Sequence, residues 1–148
     1  MASASSATAH DVAAYILGKC GTMTAMKLQK LVYYCQAWSL VWDERPMFNE
    51  RIEAWANGPV IPDLYEGHRG CFNVTTWPKG DATALDQDAV ETADAVIRDY
   101  ANETAQWLSD LTHAEDPWKN ARAHLREGER GSTEITIAAM HEYYSGLD

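Results

Sequence analysis

Four residue groupings in this chain have side chains that could do chemistry. The stretch "THAED", Thr112 to Asp116, places His113, Glu115 and Asp116 close together, a donor set suited to a divalent metal. A metal site needs three or four ligands that converge, however, and Asp116 already has a role as the cap of a helix opened by Pro117. His113 at the end of the preceding helix can be satisfied by backbone carbonyls. The stretch "GHRGC" puts His68 near Cys71, a base near a thiol, without a third group to position the pair. The glycine-containing run "ANGPV" has one glycine, and Pro59 removes a backbone donor, so it cannot form a phosphate cradle. Last come the aromatics Tyr33, Tyr34, Trp38 and Trp42, which at helical spacing read as core or as a recognition strip. Tyr33 lies off the Leu28–Leu31–Cys35–Trp38 stripe and is expected to face outward, where tyrosine is a favoured binding residue. None of these groupings makes a nucleophile with its base or a convergent metal set. The reading is therefore a protein without catalytic residues, cofactor or metal, with a metal-dependent enzyme built on His113, Glu115 and Asp116 as a less favoured alternative.

Elements that would carry these residues follow from periodicity and caps. Thr8 and Asp11 have capping-box form and open a helix to about Lys19, which Gly21 stops. Thr24 caps a long helix with Leu28, Leu31, Val32, Cys35, Trp38 and Trp42 on one face and Lys27, Lys30 and Gln36 on others, closed by Pro46. Phe48 and Ile52 fit a short extended pair, and Asn57-Gly58-Pro59 turns the chain toward a short helix begun by Pro62. Asp86 caps a helix carrying Val90, Ala93, Val96 and Ile97, and a further helix near Asn102 points Trp107, Leu108 and Leu111 inward. The helix at Pro117 runs to about Arg126, and a last one begins between Thr133 and Thr136 and carries Ile137, Met140, Tyr143 and Tyr144. The fold class is mainly α, a single compact helical domain of about six or seven helices with at most a minor β-hairpin. Residues 1–8 are expected as a flexible tail and 9–148 as the domain.

Composition narrows the partners. The chain has 148 residues, 46% of them hydrophobic, and a net charge of −10. Its second half, from residue 75, holds six Lys/Arg against fifteen Asp/Glu. So acidic a chain does not bind a nucleic-acid backbone by itself, and it suits a basic protein partner through steering. No apolar run nears the ~20 residues of a membrane span, and the opening residues lack signal-peptide regions, so a cytoplasmic protein is expected. Three widely spaced cysteines fit a reducing compartment.

Four segments taken together carry a resemblance: "MKLQKLVYYCQAW" (Met26–Trp38), "FNERIEAWANGPVIPDLY" (Phe48–Tyr65), "LTHAEDPWKNAR" (Leu111–Arg122) and "ITIAAMHEYY" (Ile135–Tyr144). In this order the chain resembles the Panacea antitoxin domain, the SocA-like or GepA-like family of phage-associated proteins, over about residues 9–145. The resemblance implies a mainly helical antitoxin from a two-gene toxin–antitoxin pair that neutralises its toxin by direct protein contact. The implied toxins are diverse and include alarmone-synthetase-like enzymes. One branch of the family acts instead as an adaptor delivering its toxin to a AAA+ protease, and that alternative stays open. The expected partner-binding residues are Trp55, Asn57, Pro59 and Tyr65, with Tyr33 adjacent. Whether the "AWANGPV" motif is interface or scaffold is left open by the sequence alone.

Overall fold

The computed structural model describes residues 7–148, and the expected N-terminal tail lies for the most part outside the described residues. Ala7 is buried, and Thr8 caps the first helix, α1 (Ala9–Cys20), with both bonds of the capping box in place. Gly21 ends α1 at φ +80°, a backbone region that glycine enters without steric cost. Thr24 then caps α2 (Ala25–Trp42) through its hydroxyl, which accepts from the Lys27 amide. The helix stops at Asp43, ahead of Pro46, where Glu44 turns the chain at φ +56°.

Seven α-helices are present among the described residues. The others are α3 (Pro62–His68), α4 (Gln87–Tyr100), α5 (Ala105–Ala114), α6 (Asp116–Ala121) and α7 (Ile137–Ser145). The strands are short. β2 (Glu53–Trp55) and β3 (Gly58–Val60) form an antiparallel hairpin, and β1 (Met23–Thr24) pairs with β4 (Asn73–Val74). The fold is mainly α, as the periodicities predict, with one small sheet more than expected. That second sheet joins residues about fifty positions apart with no alternation to announce it.

α2 is the axis of the molecule, touching α1, α4, α5, α7 and β3. It is buried on nearly all sides, so its polar residues are buried too, which corrects the expectation of a polar face carrying Lys30 and Gln36. Two of these buried residues, Gln29 and Gln36, are satisfied by backbone groups elsewhere in the chain. Gln36 holds the chain after α2. Its Oε1 accepts from the Met47 and Phe48 amides, and its Nε2 donates to the Phe48 carbonyl. Gln29 likewise holds Ile61, accepting from its amide at 2.8 Å and donating to its carbonyl at 3.3 Å. These two side chains set where the hairpin segment leaves and rejoins the core.

Three apolar residues face the other way from expectation. Trp42, Trp107 and Ile137 are all exposed, because each sits at or near a helix end, beyond the neighbours that cover the middle of its helix. The helix at Pro117 is shorter than expected and ends at Ala121. Glu115 occupies its cap position without a side-chain capping bond, which corrects the assignment to Asp116.

Candidate functional site

The three sequence motifs in α2, the hairpin and the α5–α6 junction meet at one place. The hairpin tip is Ala56-Asn57, and Gly58 opens β3 at φ +128°, where a side chain would be strained. Gly58 lies directly over Lys30. A Cβ added there would come within 2.5 Å of the Lys30 Cε, 3.1 Å of its Nζ and 3.3 Å of the Thr112 hydroxyl. The glycine is therefore needed for backbone approach as well as for conformation.

Around the hairpin the α5–α6 junction supplies a clamp. The Trp118 indole Nε1 donates to the Trp55 carbonyl at 2.8 Å, and the Arg122 guanidinium donates to the Ala54 carbonyl at 2.9 Å. Trp118 stacks flat on His113, with ring centroids 3.9 Å apart, and Arg122 lies over the same indole. Arg122 also donates to the Glu129 carbonyl. The chain at residues 133–135 also adds to β2. The Ala54 amide donates to the Thr133 carbonyl and the Ile135 amide to the Ile52 carbonyl, both at 2.8 Å. The hairpin is tied through the β2 side by these bonds, and β3 packs on α2 and α5, so the backbone of "EAWANGPV" is fixed at several points.

What it leaves open is one side-chain face. Trp55 and Tyr65 are both half-buried and pack edge to face with centroids 5.0 Å apart. With Met26, Ala56, Asn57, Val60, Arg130 and Ser132 they line a groove of about 590 Å³. Asn57 is exposed, whereas Pro59, in β3, is buried. Of the residues expected to contact a partner, the structure thus brings Trp55, Asn57 and Tyr65 together at one opening.

Tyr33 is a correction. It is 1% exposed, and does not face outward. The reason is a buried polar cluster that its position off the leucine stripe serves. The Tyr34 and Tyr144 hydroxyls donate to the same Glu115 carboxylate oxygen at 2.7 and 2.6 Å. Tyr144 has then used its single proton, so Tyr33 donates to the Tyr144 oxygen at 3.1 Å. Burial pushes the Glu115 carboxyl above its usual range, and the two hydroxyls oppose that rise. Glu115 is thereby committed to tyrosines from α2 and α7, and His113 to a stack on Trp118. Among the described residues no three His, Cys, Asp or Glu side chains form a metal-holding group.

Two buried polar atoms have no hydrogen-bond partner among the described residues, Lys30 Nζ and His113 Nε2. Burial alone brings the Lys30 ammonium down to about 8. Burial also lowers His113, opposed by the backbone at Asn57 and reinforced by the nearby Lys30. Burial lowers His68, and Lys30 adds to this as well. Sequence reasoning puts Lys30 on a polar face and misses this. The available signal is a lysine next to Leu31 of the stripe, on a helix otherwise too apolar to have a wet side.

The fold and its site define a small helical protein whose polar residues are spent on internal clamps and whose opening is an aromatic groove beside a locked hairpin. The chain belongs to the SocA-like antitoxin family, the Panacea domain, which its sequence matches over residues 28–119. That span begins in α2 and ends in α6, so it contains α2, the hairpin and the clamp in full or in large part. No curated protein matches the chain, and no solved structure does. None of the described helices is long and apolar enough to cross a membrane.

Proposed function

We propose that this protein is an antitoxin that neutralises a cognate toxin in the cytoplasm by direct binding, without catalysis, and that the groove at Trp55, Asn57 and Tyr65 is the centre of the contact. The supporting observation is the geometry of those three residues. A rigid backbone presents a tryptophan and a tyrosine, half-exposed and mutually packed, beside an exposed asparagine. Rigid aromatics that lose little freedom on docking are the side chains that dominate protein interfaces. A standard interface covers about 800 Å² per partner, so the contact extends past the groove.

The net charge of −10 supports a toxin with a basic face, since complementary fields speed encounter. A second reading has the same partner but a different outcome. The exposed acids of α4, Asp88, Glu91, Asp94 and Asp99, would serve as a docking face for a AAA+ protease that degrades the toxin.

The test is co-expression with the product of the adjacent open reading frame. That product alone should arrest growth, and this protein should restore it through a complex that can be purified. Toxin levels separate the two readings: constant levels in the rescued cells support blocking, and a protease-dependent fall supports delivery. Growth of cells expressing the neighbour alone would count against both.

A further inference from the structure

The groove differs in sign from the protein that surrounds it. Arg130 is the one charged residue among those lining it, and it makes no ion pair among the described residues. Behind the hairpin wall lies Lys30, completely buried and with no partner for its ammonium group. Gly58, which lies in the chain between the groove residues Asn57 and Val60, sits against the Lys30 side chain, where an added Cβ would come within 2.5 Å of its Cε and 3.1 Å of its Nζ. An acid bonded to a groove residue is Glu53, whose Oε1 accepts from the Trp55 indole at 2.9 Å. Its Oε2 is paired with Arg51 at 2.8 Å, and Arg51 also reaches Glu134 at 3.4 Å, so the two carboxylates share one cation. A low-dielectric wall with an uncompensated cation behind it projects more field than the same charge in water.

The groove is also not closed. Met26 and Tyr65 line a second depression with Ala25, His68, Cys71 and Phe72. Phe72 is 78% exposed, so an apolar track runs from Trp55 over Tyr65 to Phe72. A track that continues past the groove fits an internal segment crossing it better than a chain end.

We propose that the groove takes a segment of the partner protein that sets an acidic side chain beside an apolar or aromatic one, the carboxylate toward Arg130 and the apolar group on Met26, Trp55 and Tyr65. This rests on the groove being the toxin contact, and it adds the chemistry of what enters. Long-range steering by the acidic surface and a local pairing of opposite sign then do separate jobs. The first brings a basic face in, and the second fixes its register.

Two acetylated, amidated tripeptides probe it, glutamate-tryptophan-leucine and its glutamine counterpart. Binding is followed by the backbone amide shifts of Asn57 and Ser132. The glutamate peptide should bind roughly fivefold tighter at low salt, the scale of one exposed ion pair. The preference should disappear in Arg130→Gln, shrink in Lys30→Met, and fade at about 0.5 M salt. Equal affinity for both peptides overturns the proposal, and so does the absence of shifts with either.

The parent reading fails separately. If Trp55→Ala and Tyr65→Ala leave toxin binding intact while the peptide preference stands, the groove serves another ligand. If those variants lose the toxin while Arg130→Glu keeps it and the peptides bind alike, the contact stands and its acidic occupant does not.

Discussion

Replacing Lys30 by methionine removes a buried ammonium and keeps most of its aliphatic volume, so the effect on stability should depend on pH in a defined way. Burial lowers the Lys30 group from 10.5 to about 8. The unfolded chain therefore holds this proton more tightly than the folded one. Stability must rise with pH wherever the unfolded state is protonated and the folded state is not, the window between about 8 and 10.5. Below that window the buried charge costs about 3 kcal/mol, at about 1.36 kcal/mol for each pH unit between the two values. Between pH 7 and pH 9.5 about 2 kcal/mol of that cost should be relieved in the wild type and none in the variant. Urea unfolding followed by tryptophan fluorescence at those two pH values gives both curves. Other titrating groups, including the buried tyrosines whose ionisation is suppressed, are common to both proteins and cancel in the difference. Lys30→Met should be the more stable protein at pH 7, with an advantage that narrows by pH 9.5. A difference that stays constant across this range would show that the Lys30 charge is compensated in the folded protein, and would refute the reasoning.

Three further outcomes follow from the packing. Gly58→Ala places a methyl group against Lys30 at a backbone angle hostile to side chains, and should lower stability by about 1–3 kcal/mol, read as a fall in Tm. Tyr144→Phe removes one of two donors to the buried Glu115 and the acceptor for Tyr33. It should cost about 1.5–3 kcal/mol by urea unfolding, and Glu115→Gln combined with it should recover part of the loss. Leu31→Ala opens a cavity at a position with no exposure and should cost about 2–5 kcal/mol, measured by calorimetry.

Local signals are strong in this sequence where one short stretch decides the outcome. Thr8 with Asp11, Thr24 and Asp86 each cap the helix their spacing announces, because a cap needs only a side chain and an amide three residues on. The α2 periodicity is equally plain, but it cannot say that the helix is surrounded. That depends on α4 and α7 arriving from far along the chain, and it is why periodicity alone puts Lys30, Gln36 and Tyr33 on outer faces. For the same reason it points Trp107 and Ile137 inward. Periodicity gives the angle around a helix, and exposure also depends on what covers each end. The convergence of Gly58, Lys30, Thr112 and Trp118 is visible in the sequence only as motifs along the chain. Their common purpose, a glycine laid over a lysine and a tryptophan bonded to the hairpin, requires the contacts. The backbone of "AWANGPV" is bonded by Trp118, Arg122 and residues 133–135, with Trp55 half-buried and Asn57 exposed, contacts that no periodicity in the sequence announces.

The central claim is that Trp55 meets the toxin, and calorimetric titration of the purified neighbouring gene product into wild type and Trp55→Ala tests it most directly. Interface tryptophans of this kind cost about 2 kcal/mol or more when truncated, so affinity should fall about thirtyfold or more, with Tm within a few degrees of wild type. Unchanged affinity in a folded Trp55→Ala protein would contradict the claim.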